Sequence, residues 1–234
     1  MTKKITQFSG INALMGGVFK GLFPISEIKK HGNFGLGCSD GLTGEVIIDC
    51  CHFFDAKDNK PLRVMEEAEE MPFAQITTFA AEEKFAISNL SKATLYQELS
   101  KHLKFDNVFL ALKLEGIFRS VKVRRPRELY QRFNNALEVA QHQIIDNISN
   151  VEGQLIGFWT PEFFQNISVA GFHLHFIDKE KTTGGHMIDF TIDDGTLSYE
   201  VKYGLDIELS DKRAYIDHDL KIDDMDKIIK KVEN

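Results

Sequence analysis

Three histidines carry the clearest chemical signal in the chain: His173 and His175 in the run Val169-Ala170-Gly171-Phe172-His173-Leu174-His175-Phe176-Ile177, and His186 just after Thr182-Thr183-Gly184-Gly185. Successive residues of a strand face opposite sides, so Ala170, Phe172, Leu174 and Phe176 would line an apolar face while His173 and His175 share the other. The Thr-Thr-Gly-Gly stretch marks a turn, and a second strand-like run extends from His186 to Ile192. If the two runs form a hairpin turning near Glu180 and Lys181, His186 stands opposite His175 and three imidazoles converge. Neutral imidazole nitrogen suits zinc, copper, iron or nickel. Three protein ligands with positions left open are the pattern of a catalytic site rather than a closed structural one. Hydrogen-bonded core or surface histidines are the alternative, and spacing alone leaves both open.

The elements that must position these residues are mostly strands. Glu45-Val46-Ile47-Ile48-Asp49 is a β-branched run leaving the turn Asp40-Gly41-Leu42-Thr43-Gly44, and Cys51 to Phe54 either continues it or pairs back as a hairpin. Phe73 to Phe79, Val108 to Gly116 and Gln154 to Trp159 also have strand composition; the second leads through Phe118 and Val121 into Lys122, Arg124, Arg125 and Arg127. Leu95 and Leu99 at helical spacing predict an amphipathic helix from Ser91, its N-cap, to His102. Short helical pieces follow Ile11 and break at Pro24, with Ser26 capping the turn Glu27 to Lys30, and the tail carries Leu220, Ile222, Met225, Ile228 and Val232 at the spacing of a final helix. The class is mixed α/β of the α+β type, with largely antiparallel sheets and flanking helices. A composition change after Pro126 puts a boundary between residues 1–127, which carry Glu45 and Arg124, and residues 128–234, which carry the histidine hairpin.

Composition narrows the function classes. With 43% hydrophobic and 27% charged residues the chain reads as a globular protein, and its net charge of −7 offers no basic field for nucleic acid or an anionic membrane. No stretch approaches the roughly 20 apolar residues that span a bilayer, and the start lacks a secretory pattern. Cys38, Cys50 and Cys51 make no CxxC spacing, which fits a reducing compartment and a cytoplasmic protein; Cys50 and Cys51 read as packed thiols. The acidic run Glu66, Glu67, Glu69 and Glu70 reads as a solvated face, and His31, His52, His102, His142 and His218 have no ligand spacing.

Read with their neighbours, the histidine runs resemble the acetolactate decarboxylase signature: Val169 to Ile177, then Gly184-Gly185-His186-Met187-Ile188-Asp189-Phe190. The similarity extends in chain order to Ala13-Leu14-Met15, Lys30-His31-Gly32-Asn33-Phe34-Gly35-Leu36-Gly37, Gly44-Glu45-Val46-Ile47 and Gly157-Phe158-Trp159-Thr160-Pro161-Glu162. The resemblance implies a two-domain α/β homodimer that decarboxylates (S)-2-acetolactate to (R)-acetoin and CO2. It also implies that His173, His175 and His186 hold zinc or another divalent transition ion, that Glu45 is the proton donor, and that Arg124 orients the substrate. The closing Val-Glu-Asn resembles the family's end, which makes Glu233 a further carboxylate at the metal site; Cys38 stands where family members often have threonine.

Decarboxylation of such an acid leaves negative charge on the neighbouring ketone oxygen as an enediolate, and stabilising that charge is what a Lewis-acidic ion does. Two rival functions compete. His173-x-His175 followed by Glu180 and His186 also resembles the cupin ligand pattern of metal-dependent oxygenases, in which Glu180 would be a ligand; a non-catalytic small-molecule binding or metal-storage module is the other.

Overall fold

The structure is a computed structural model that describes residues 3–58, 60–127, 135–221, 228–229 and 231–232. The first part of the chain forms β1 (Lys4–Phe8), α1 (Ile11–Met15), β2 (Phe23–Pro24), α2 (Ile25–Ile28), β3 (Phe34–Cys38), β4 (Gly44–Asp49), β5 (His52–Lys57), β6 (Arg63–Val64), β7 (Glu70–Met71) and β8 (Phe73–Thr77). Then follow β9 (Glu83–Ser91), α3 (Lys92–Ser100), β10 (Phe109–Arg125), α4 (Ala136–Ala140), β11 (Ile144–Thr160), β12 (Gly171–Asp178), β13 (Gly184–Lys202), β14 (Gly204–Glu208) and α5 (Arg213–Ile216).

Strands β14-β1-β8-β3-β4-β5-β6 make a seven-stranded sheet, antiparallel except for the parallel β1–β14 pair. Strands β10-β11-β12-β13-β9 make an antiparallel sheet in which β10 also pairs with β13, so that β10 to β13 close on themselves. This is the expected α+β class with mixed, largely antiparallel sheets. The expected boundary after Arg127 falls between β10 and β11, two strands of one sheet that pair from Leu110↔Trp159 to Arg125↔Ile144. Residues beyond it return to the first sheet as β14.

Apolar residues alternating along both sheets supply the layer between them: Phe34, Leu36, Ile47 and Phe54 from one meet Phe109, Ala111, Ile156, Phe158 and Ile177 from the other. Leu95 and Leu99 of α3 pack on the outer face of the second sheet with Leu112, Phe118, Leu174 and Phe176. Ser91 caps α3 as expected, its N–H donating to Thr94 Oγ1 (3.1 Å).

Two local expectations change. The hairpin alternative holds for β4 and β5, joined by Cys50 and Cys51 at φ 49° and 67°; this is the left-handed pair that a two-residue turn needs, so both thiols sit exposed at its tip instead of packed. Pro24, with its preset φ of −69°, occupies the cap position of α2, which leaves Ser26 inside the helix. Of the tail, Ile228, Ile229, Lys231 and Val232 are helical, whereas Ile222, Met225 and Glu233 lie outside the described residues.

Candidate active site

The hairpin forms in the expected register. His175 pairs with His186, Phe176 with Gly185 and Ile177 with Gly184. Asp178 holds the turn by accepting from the Thr182 and Thr183 N–H groups (2.7 and 2.8 Å) and the Thr182 hydroxyl (2.7 Å), while Lys181 takes the positive φ of 55° that closes it. On the other side of β12, β11 comes so close at Gly157 that a Cβ there would lie 2.0 Å from the His173 carbonyl oxygen. Gly157→Ala must therefore push β12 away, and the expected cost is about 1–3 kcal/mol with displacement of His173, read as a lower urea midpoint and weaker metal retention.

The three rings lie 5.1 to 5.3 Å apart between centroids, and their ligand atoms all fall within 4.8 Å of one another. All are buried: His173 is 5% exposed, His175 1% and His186 3%. Burial, with Arg124 adding to it, pushes the His173 pKa down to about 3. Burial, then His173 and Arg124, push His175 well below its ordinary value against the opposing hydrogen bond to Val46. Both rings are thus neutral near pH 7, the state a ligand nitrogen requires.

His175 Nδ1 lies 2.9 Å from the Val46 carbonyl oxygen, which can only accept, so Nδ1 carries the proton and Nε2 carries the lone pair. That Nε2 is buried without a hydrogen bond and faces Glu45 Oε2 at 3.5 Å. Two acceptors meeting in a buried site are stable when a cation or an extra proton sits with them. The donor set therefore fits a divalent transition ion held by His173, His175 and His186. The Val46 carbonyl fixes one ring's tautomer in the way outer groups usually do at metal sites.

The buried, neutral His173 imidazole also makes the metal-free protein acid-sensitive. His173 takes up its proton near pH 6.5 in the unfolded chain and near pH 3 in the folded chain, so the stability that depends on its neutral form is complete above about 6.5 and is lost as pH falls through that window. The urea midpoint of chelated protein is expected to drop between pH 6.5 and 5, less steeply for His173→Phe; a flat midpoint contradicts it.

Glu45 on β4 reaches the triad from the other sheet, and its direct neighbour on β3 is Cys38. On β10, alternation separates the arginines. Arg125 turns to Asp146 and the Lys57 carbonyl (3.2 Å), while Arg124 lines the cavity with the histidines, and Arg127 is exposed. The cavity has Glu45, Arg124, Cys38, Gln143 and the three histidines as its polar lining; Ile11, Leu14, Met15, Leu42, Phe73, Val139 and Val232 are among its apolar walls.

A family model described as alpha-acetolactate decarboxylase matches residues 5–222, which include the whole hairpin, Glu45 and Arg124. The chain belongs to the alpha-acetolactate decarboxylase family. The family's protein from Brevibacillus brevis is 36% identical over 218 residues, spanning 92% of this chain and 75% of that one. The Lactococcus lactis subsp. cremoris protein is 34% identical, spanning 83% of this chain and 82% of its own. The crystal structure of alpha-acetolactate decarboxylase from Bacillus subtilis strain 168 superposes with a TM-score of 0.94 at 29% identity, covering 99% of both chains.

Against this family background, the structure brings together five of the six expected site residues: His173, His175, His186, Glu45 and Arg124. Glu233, the sixth, lies outside the described residues, although its neighbour Val232 lines the cavity. Glu180, the ligand of the cupin pattern, is exposed in the turn and does not belong to the buried ligand group. The remaining histidines serve elsewhere: His102 stacks on Phe85, His218 Nε2 donates to the Gly16 carbonyl (2.9 Å) and His142 Nδ1 to the Glu138 carbonyl (2.9 Å). Gln143, Leu42 and Val139 were not singled out in the sequence, because nothing in their spacing reveals a shared wall.

Proposed function

We propose that the chain decarboxylates (S)-2-acetolactate to (R)-acetoin and CO2 with a divalent ion, zinc or another transition metal, held by His173, His175 and His186. One observation carries the proposal: three buried, converging imidazoles share a cavity with a carboxylate, Glu45, and a guanidinium, Arg124. When bound, such an ion supplies Lewis acidity where charge develops, worth several kcal/mol.

The chain's own groups do the rest. Arg124, permanently charged and planar, matches the substrate carboxylate and fixes the orientation in which the breaking C–C bond overlaps the ketone π system. Holding that carboxylate tightly would deepen the ground state, so Arg124 orients and does not drive. As CO2 leaves, the bonding pair moves onto the carbon it departs from and is delocalised to the ketone oxygen as an enediolate. Apolar walls from α1, α4 and Val232 keep water from that carbon. Glu45 then delivers a proton to one face of it, forming the new C–H bond and giving a single acetoin enantiomer, and is reprotonated from solvent.

Glu233 is proposed as a further carboxylate at the same site, supported by Val232 in the cavity wall. A homodimer is supported by the open edge at β14, where Tyr203 and Leu209 are exposed; a single-chain mass in sedimentation equilibrium would exclude it. A cytoplasmic site of action fits the exposed, unbridged Cys50 and Cys51, and no helix among the described residues is long and apolar enough to cross a membrane. The test is acetoin formation from 2-acetolactate by as-purified, chelated and zinc-restored protein, with Glu233→Gln alongside. Activity lost on chelation and regained with zinc is expected; acetoin at no more than the spontaneous rate in every sample would reject the proposal.

A further inference from the structure

We propose that Gln143 contacts the substrate, its side-chain amide donating to the carboxylate beside Arg124; this rests on the decarboxylase proposal and extends it. Strand register carries the assignment. β10 and β11 pair as Arg124↔Ile145 and Arg125↔Ile144, and the same register continued by one residue sets Pro126 against Gln143. Residues two apart on a strand share a face, so Arg124, Pro126 and Gln143 look the same way, whereas Arg125 and Asp146 look the other and pair there. Arg124, Pro126 and Gln143 do all line the cavity, and Gln143 is half-buried there. Pro126 has no N–H to continue the ladder, which ends at Arg125↔Ile144 and leaves Gln143 just outside it.

The chemistry fits that position. An incoming carboxylate loses its water against the apolar walls, and its two oxygens offer about four acceptor sites, more than one guanidinium fork fills. A neutral amide adds an oriented donor without a second positive charge, which would hold the departing group too firmly.

The experiment pairs steady-state kinetics on 2-acetolactate with calorimetric binding of 2-hydroxy-2-methylbutanoate, an acid that keeps the carboxylate and hydroxyl but has no ketone and cannot decarboxylate. Removing one hydrogen bond to a charged group costs about tenfold or more in binding. Gln143→Leu is thus expected to raise KM and weaken binding of the acid about tenfold, with kcat changed less than threefold and metal content unchanged. Gln143→Glu, of the same shape, sets a like charge against the carboxylate and is expected to cost more; it reads the same contact if the leucine variant fails to fold. KM and acid affinity within twofold of wild type in the folded variants would overturn the assignment. Wild-type protein that binds the acid in a Gln143-dependent way yet makes no acetoin would instead overturn the decarboxylase proposal and leave the contact standing.

Discussion

His175→Ala protein is expected to lose its ion and to make acetoin no faster than the spontaneous reaction, a fall of about a thousandfold or more if the ion supplies several kcal/mol. The size of the effect follows from the position of this ring. His175 stands at the hairpin register opposite His186, is held by Val46 from the other sheet, and turns its lone pair toward the triad. Removing it leaves two nitrogen ligands and opens a cavity in the layer between the sheets. The fold itself should persist, because the apolar face of β12, Leu174 and Phe176, packs on the other side of the strand. Elemental analysis and an acetoin assay on the same preparation check both halves; a variant that keeps a full complement of zinc and normal turnover would show that His175 is not a ligand.

Glu45→Gln is expected to separate metal binding from chemistry. The amide keeps the size of the carboxyl and the β4 backbone, so His173, His175 and His186 should retain their ion, while proton delivery is removed. General acid–base groups typically contribute about 10²–10⁴-fold, and kcat should fall within that range with metal content unchanged. A second readout is stereochemical. With no positioned acid the enediolate takes its proton from solvent on either face, so residual product should lose enantiomeric purity. Full activity with undiminished enantiomeric excess would remove Glu45 from the proton-donor role.

Much of this site could be read from the residues before any coordinates, and the physical reason is strand periodicity. A period of two puts His173 and His175 on one face, and the Thr-Thr-Gly-Gly turn leaves a single sensible hairpin in which His186 joins them. The capped helix α3 was legible for similar local reasons, whereas the β4–β5 hairpin stood as one of two alternatives that only the pairing decides. Arg124 was harder, with Arg125 and Arg127 beside it. What separates them is the register of β10 against β11 and β13, including the irregularity between Lys122 and Val123 that brings Arg124 opposite His186, and local sequence does not encode that pairing. The Cys50-Cys51 turn was missed because neither residue is the Gly, Asn or Asp usual at positive φ.

Long-range pairings were the least legible. Nothing local says that β14 returns to lie parallel to β1, or that β9 and β10 join the sheet of the histidine hairpin. The cavity's apolar wall shares that character. Ile11 and Leu14, Val139, and Val232 come from three distant stretches of chain, and each looks in isolation like ordinary core. Such a wall exists only once the sheets have packed. Gln143 became visible as a site residue for the same reason, through its register with Pro126.

The most direct measurement is X-ray absorption at the zinc edge on protein loaded with zinc and dialysed. The expected result is one ion per chain, with a first shell of nitrogen and oxygen at about 2.0–2.1 Å and the outer-shell signature of imidazole rings, reduced in His175→Ala. Protein that retains no zinc, or holds it in a sulfur shell or with the same spectrum after His175 is removed, would contradict the assignment of His173, His175 and His186 as its ligands.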